Sequence, residues 1–422
     1  MKRGVLLALL LLTLCIGGYT FGPGPENMPI PRLIGNLKAA IQKKPKEAEN
    51  YYLLGRVNYF AFVAPRDKTQ ENDPQAQTLA VYGGGRQFDD WWGGDKQGKS
   101  KAPGPACYKR SNKAQIAHVR AAVVNLNRAM AMRGEHASPK SPDSLSYSSS
   151  PGLFELCLAC ALEDGAPYAP KVGALSGLNA SSKAWLTAAI QNYWLAFDRA
   201  ETNDLKDRPG FHQTLVSEEA GASYKRLLTA RGDITATEKS RLSRIATTLA
   251  TLSKRPRAVT PIVFSLKPGV DGRTVVQRSR AMRFDLDGTG MRILDSWPAP
   301  ETAILVWDPK RTGKITSGVQ LFGSSTFWLF WKDGYAAMAS LDDNGDGWLS
   351  GKELKGLALW QDRNSNGISD PGEVTPIEAT NVAAISVNST GTDGGFTSNS
   401  QGLRLKNGSV LPTWDWVATA RR

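Results

Sequence analysis

Between Leu341 and Val374 the chain twice sets oxygen-bearing side chains at alternate positions of a twelve-residue run. The first run offers Asp342, Asn344, Asp346, the Trp348 carbonyl, Ser350 (through a water) and Glu353 at positions 1, 3, 5, 7, 9 and 12, with Gly347 at position 6. The second offers Asp362, Asn364, Asn366, the Ile368 carbonyl, Asp370 and Glu373, with Gly367 at position 6. Alternate side chains share a centre only if the backbone coils round it, and glycine permits the sharp bend at position 6. Six to eight oxygens suit a hard cation of calcium's size, and the last Glu closes the ring with both oxygens. Each run brings three carboxylates to the double positive charge. Runs of Asp, Asn and Gly also make plain turns. Two complete matches, each ending in Glu, favour about two bound calcium ions.

The elements that position these runs follow from their spacing. Both resemble the calcium loop of the EF-hand, yet only Leu354 to Gln361 separates them, too little for two helix–loop–helix units. One helix over Lys352–Trp360 is therefore expected to leave the first loop and enter the second. Position 8 of the second loop is Ser369 where an aliphatic residue usually pairs loops, so a structural module is expected and not an opening sensor. A wider resemblance covers Phe284 to about Val387. The order Phe-Asp-Leu-Asp-Gly, Ile-Leu-Val-Trp-Asp-Pro, Gln320-Leu-Phe-Gly, Tyr335-Ala-Ala-Met-Ala-Ser-Leu-Asp, Leu359-Trp-Gln-Asp and Asp370-Pro-Gly-Glu resembles the calcium-binding modules of secreted RTX-type proteins. That resemblance implies a compact α+β module with EF-type loops. Asp308–Val319 resembles a further, decayed loop, with Lys310 and Val319 where ligands should be.

Of 52 Lys and Arg against 39 Asp and Glu, residues 282–422 carry 13 and 16, leaving 39 and 23 before them. A basic part thus precedes a mildly acidic one. A diffuse basic excess is usually a solvated surface, so an anionic polymer stays a secondary partner and nucleic acid is disfavoured. Met1-Lys-Arg, the apolar run Val5–Ile16 and then Gly17 and Gly18 read as a secretory signal. An uncleaved anchor remains an alternative, and so does lipid on Cys15, although Leu14 is bulky for the latter. Export fits calcium, which is plentiful outside the cytoplasm.

From Pro29 to about Leu252 the periodicity is helical. Leu33, Leu37, Ala40, Pro45, Tyr51, Leu54 and Gly55 take the spacing of the tetratricopeptide repeat, as do Ala122, Leu126 and Ala129, and Ala189, Tyr193 and Ala196. Leu153–Leu162 and Leu215–Leu228 are the expected first helices of pairs, with Gly221 small and Tyr224 large at the packing positions. Thr235-Ala-Thr-Glu238 is a capping box opening a last helix towards Leu252. The insertion from Ala64 to Ser111 holds Phe88, Trp91 and Trp92, which serve either a ligand platform or, preferably, anchorage of a long loop. Ser138–Pro151 reads as a flexible connection. Cys157 and Cys160 fall on core positions of a helix. A disulfide to Cys107 is the lesser alternative, and His118, His136 and His212 are scattered.

Arg283-Phe-Asp-Leu-Asp-Gly-Thr-Gly290 resembles the first motif of the haloacid-dehalogenase phosphatases, which implies Asp285 as nucleophile and Asp287 as acid/base. The turn-rich sequence that follows does not continue the alternating strands and helices that such a domain needs. The expected fold is multidomain: an all-α, tetratricopeptide-like part over 29–254 with an insertion at 64–111, then a linker and strand over 255–281. A small α+β calcium-binding domain with EF-hand-type loops follows over 282–420, and a signal peptide over 1–21 precedes them all. The expected function is that of an exported, non-enzymatic calcium-binding protein. Its helical part engages a protein or peptide, and it meets the membrane only through an anchor or lipid.

Overall fold

The computed structural model describes residues 28–63, 113–135, 151–206, 216–252, 257–278, 280–286 and 292–421. The signal segment with Cys15, the 64–111 insertion with its aromatics and Cys107, the connection up to residue 150, His136, His212 and Asp287 all lie outside those residues.

Among the described residues the first half is built on the long helices α1 (Ile30–Lys43), α2 (Ala48–Val63), α3 (Lys113–Glu135), α4 (Leu153–Gly165), α5 (Ser182–Asp204), α6 (Val216–Arg231) and α7 (Ala236–Leu252), each packed on the next. Small residues set the closest approaches. A β-carbon on Gly55 would meet Leu126 at 2.7 Å, and one on Gly221 would meet Ile245 at 2.9 Å. The capping box at α7 forms, with Thr235 N–H donating to Glu238 and Glu238 N–H to Thr235 Oγ1. Cys157 and Cys160 are both buried on α4, where burial pushes the Cys157 thiol up and Tyr193 donates to Cys160.

The second half is dominated by a curled antiparallel sheet of nine strands. Its members are β2 (Ile262–Ser265), β7 (Thr302–Trp307), β8 (Trp348–Ser350), β9 (Leu357–Trp360), β10 (Val374–Pro376), β11 (Val382–Ser386), β12 (Gly391–Asp393), β13 (Phe396–Leu405) and β14 (Val410–Asp415). They run in the order β10-β9-β7-β2-β14-β13-β11-β8, with β12 beside β13. A smaller sheet of β1 (Arg257–Val259), β15 (Ala418–Arg421), β5 (Arg292–Leu294) and β4 (Met282–Phe284) lies against it, and β3 (Val276–Gln277) pairs with β6 (Trp297–Pro298).

Strand periodicity divides the apolar residues between two cores. Ile262, Phe264, Ala303, Leu305, Leu357 and Leu359 join one core together with the helices, whereas Val263, Ile304, Val306, Ala358 and Trp360 join the other. The central strands are thus buried on both faces, one under the helical part and one under the smaller sheet with Trp297, Trp414 and Trp416. Tyr52 donates to the Leu329 carbonyl, and the buried Arg56 guanidinium sits 4.5 Å from the Phe60 ring and 5.3 Å from Phe330.

This architecture corrects the expected fold class. The C-terminal part is a large curled sheet, not a small α+β domain, and the expected helix over Lys352–Trp360 does not form. Gly351 and Gly356 take left-handed backbone, φ +52° and +92°, so only a 3₁₀ turn over Gly351–Leu354 fits between them. Leu357–Trp360 then buries all four side chains between β7 and β10, which a strand can do and a one-faced helix cannot. The tetratricopeptide expectation is corrected as well. A solenoid helix keeps an outer face, but α2 is buried throughout Asn50–Phe62 and α4 throughout Leu153–Leu162.

Asp415 lies at the junction of sheet and helix, where it accepts from Gly334 N–H at the start of α8 (Gly334–Ala339), which Asp333 caps through Ala336 N–H. Burial, then the charge of Asp333, pushes Asp415 well above the carboxylate range; Asp333 is itself raised by burial and lowered by Lys332. A raised folded pKa means that Asp415 stabilises at acid pH and that this contribution is lost as pH rises through the folded value. Asp415→Asn still accepts the Gly334 bond. It is expected to melt higher than wild type at pH 8, by about 1 °C for each kcal/mol regained in a chain of this size, and to show no advantage at pH 4. Melting curves at the two pH values check it.

Candidate metal sites

The two predicted loops share most of their backbone-to-side-chain bonds. At position 1, Asp342 accepts from Asp346 N–H (3.3 Å) and Gly347 N–H (2.9 Å), and Asp362 accepts from Asn366 N–H (3.0 Å) and Gly367 N–H (2.7 Å). Asn344 accepts from Asp346 N–H and Asn364 from Asn366 N–H, while Asp346 accepts from Trp348 N–H and Asn366 from Ile368 N–H. At position 12, Glu353 accepts from Asp343 N–H (2.8 Å) and Ser350 N–H (3.0 Å), and Glu373 from Arg363 N–H (2.9 Å) and Asp370 N–H (3.2 Å). Gly347 and Gly367 have φ of +85° and +74°, the backbone that position 6 demands.

These bonds decide the fit of a cation. Each carboxylate oxygen has two acceptor directions, and the backbone N–H groups use only part of that capacity. Both amide nitrogens of the second loop, on Asn364 and Asn366, donate to Asp370 Oδ2 at 2.8 Å, so three predicted ligands already meet. Those two bonds hold Asp370 below the ordinary carboxylate value. In the first loop Asn344 donates to Asp346 Oδ2 at 3.0 Å. Among the described residues no three His, Cys, Asp or Glu side chains form a ready-made cluster. The donors here are mixed, with amide, hydroxyl and carbonyl oxygens beside the carboxylates, which is the set a hard cation takes.

Each loop has an anchor that its own sequence does not announce. Arg32 of α1 donates to Asp343 Oδ1 at 2.7 Å, to the Leu341 carbonyl, and to the Glu353 carbonyl at 3.4 Å, so one guanidinium joins the entrance and exit of the first loop. Asn36, one helical turn on, donates to the Ser340 carbonyl and to Asp343 Oδ1. At the second loop the buried Trp297 indole donates to Asp362 Oδ2 at 2.7 Å. Sequence reading missed all three residues. The only signal was the spacing Arg32–Asn36, which puts two donors on one face of α1.

Asp285 follows β4, and its carbonyl accepts from Gly318 N–H. The strand it follows is in an antiparallel sheet, so the parallel, alternating domain that the phosphatase motif must open is not formed.

A family model described as the SPM domain matches residues 264–411. That match begins on β2 and ends on β14, which are neighbours in the sheet, and it takes in both loops. Over 107 residues the chain is 35% identical to the "Iron-regulated protein FrpA" of Neisseria meningitidis serogroup C, an alignment that covers 24% of this chain. It spans 10% of that relative's length. Among the described residues no helix is long and apolar enough to cross a membrane.

Removing an outer partner of a ligand typically costs 10–100-fold in metal affinity. Trp297→Phe keeps an aromatic, though smaller, side chain in the core and deletes the donor to Asp362. About tenfold weaker calcium binding is therefore expected at the second loop alone. Calorimetric titration that still resolves two equal sites at wild-type affinity would count against it.

Proposed function

We propose that this is an exported, non-enzymatic calcium-binding protein, with one ion at Asp342–Glu353 and one at Asp362–Glu373. The hydrogen bonds that the two loops share at positions 1 and 12 carry this reading, because they present a similar oxygen set twice on one backbone path. In the first loop Asp342, Asn344, Asp346, the Trp348 carbonyl, Ser350 and Glu353 hold the ion. In the second, Asp362, Asn364, Asn366, the Ile368 carbonyl, Asp370 and Glu373 do so. Calcium neutralises three carboxylates at each loop and ties the loop's two ends together.

The likeness to secreted RTX-type modules and the hydrophobic, basic-headed first residues support export. The helical part supplies the surface for a protein or peptide partner. Its net positive charge suits an acidic one, with an anionic polymer as the second class. A pull-down with the full chain, with and without calcium, tests the partner reading.

Metal binding confined to the folded form stabilises by RT ln(1 + [L]/Kd), about 1.4 kcal/mol per site at ten times Kd. An extracellular type of site has Kd on the order of 10⁻⁴–10⁻³ M. Glu353→Gln and Glu373→Gln are each expected to remove one ion in calorimetric titration, and two undiminished sites in the double variant would refute the assignment. Chelator should lower the melting temperature of the whole chain, because the core shared by sheet and helices leaves no separate helical transition.

A further inference from the structure

The segment from Asp308 to Gln320 repeats part of the bond set of the two loops without repeating their ligands; Pro309, at position 2, has no N–H to offer the closing residue. Asp308 accepts from Thr312 N–H at 2.9 Å and Gly313 N–H at 2.8 Å, as Asp362 does from Asn366 and Gly367. Thr312 Oγ1 accepts from Lys314 N–H at 3.2 Å, the bond that Asp346 makes with Trp348. Gly313 has φ +67°, matching Gly347 and Gly367. Ser317 and Gln320 form a capping box, as Ser350 and Glu353 do.

Closure is where this segment departs. Counting twelve residues from Asp308 puts Val319 at the closing place, but the structure closes one residue later, on Gln320. Its Oε1 accepts from Thr316 N–H at 2.9 Å and Ser317 N–H at 3.3 Å, while its Nε2 donates to the Lys314 carbonyl at 3.1 Å. Lys314 aligns with Trp348 and Ile368, whose carbonyls serve the ions in the proposed sites. An amide N–H therefore meets this carbonyl where a cation would otherwise link it to the closing side chain. The segment also touches the second loop. Ile315 N–H donates to Ser369 Oγ at 2.8 Å, and Ser369 Oγ donates to the Ile315 carbonyl at 3.4 Å. Ser369 lies between two predicted ligands, the Ile368 carbonyl and Asp370.

We propose that residues 308–320 form a third loop of the same build, closed by the Gln320 amide in place of an ion, and that this loop braces the second calcium loop through Ser369. Ser369 is thus a positioning residue for that site. Its hydroxyl replaces the backbone pairing that an aliphatic residue at position 8 would make, and it fixes the chain on either side of itself. The brace needs no metal, so it is in place before calcium arrives. The inference rests on the calcium reading above.

Calorimetric titration of the full chain with calcium tests it, the second site being identified as the one that Glu373→Gln removes. Ser369→Ala is expected to weaken that site about fivefold, the worth of one ordinary hydrogen bond, and to leave the first site unchanged. Ser369→Thr, which keeps the hydroxyl, should restore it. The pair Lys310→Asp and Gln320→Glu gives the third loop three carboxylates, the number in each of the others, and should raise the count from two ions to three. If the wild type binds two ions and Ser369→Ala titrates identically, the brace is wrong. A count that stays at two in the paired variant, with unchanged circular dichroism, overturns the amide-for-ion reading. Absence of calcium binding by the wild type would overturn the calcium reading and this inference with it, an outcome distinct from both.

Discussion

Seven residue-to-residue steps, from Ser350 to Leu357, join strands that stand six places apart in the nine-stranded sheet, and the shape of the C-terminal half follows from that. A flat sheet would separate β8 from β9 by about 29 Å at 4.8 Å per strand. The linking residues reach at most about 24 Å when fully extended, and the 3₁₀ turn at Gly351–Leu354 shortens them further. The sheet must therefore curl until its edges approach. Curling gives it a concave and a convex face, and the alternation along β2, β7 and β9 sends apolar side chains to both. Each face then needs a cover, which the helices provide on one side and the smaller sheet on the other.

The same constraint explains where the loops sit. Positions 7 to 9 of the first loop are the strand β8, at one edge of the sheet, and the residue after the second loop begins β10, at the other. Each loop is held by carboxylates that accept its own backbone N–H groups. Arg32 binds the first loop's ends to α1, and Trp297 binds the second loop to the tryptophan core. The loops thus belong to different neighbourhoods, although only eight residues, Leu354 to Gln361, separate them in sequence.

The glycine-bent course of the two loops, the helices and the capping box at Thr235 were legible in the sequence, because each depends on residues a few places apart. The curl was not, because it depends on the distance between β8 and β9 along a sheet whose order no local pattern reveals. The expected helix at Lys352–Trp360 failed for a related reason. Leu354 and Leu357 have helical spacing, but Gly356 between them is held at φ +92° with the Trp307 ring 2.7 Å from where a β-carbon would stand. Both leucines are buried, on a turn and a strand. The split in charge at residue 282 suggested two separate parts, yet the larger core runs from Met28 to Leu411. Charge patterning reports the surface, and the interface between the halves is an apolar core with a few polar contacts, those of Arg32, Asn36, Tyr52 and Arg56.

Sheet edges are a hazard because their unpaired N–H and C=O groups can recruit another chain. Here the exposed sides of β8 and β10 are each only three residues long, and each is interrupted by a loop that bends the backbone out of the strand path. A loop of this kind turns its N–H groups inward onto its own carboxylates, which removes them from the edge. The cost is a concentration of negative charge: Asp342, Asp346 and Glu353 at one edge, Asp362, Asp370 and Glu373 at the other. Three carboxylates within one short loop repel each other, and the backbone N–H bonds offset this only partly, since an N–H carries a partial charge. A divalent cation bound at each loop, as proposed, would remove the rest of the repulsion without restoring a pairing edge, and would act on the two ends of the sheet, reaching its centre only through the curl.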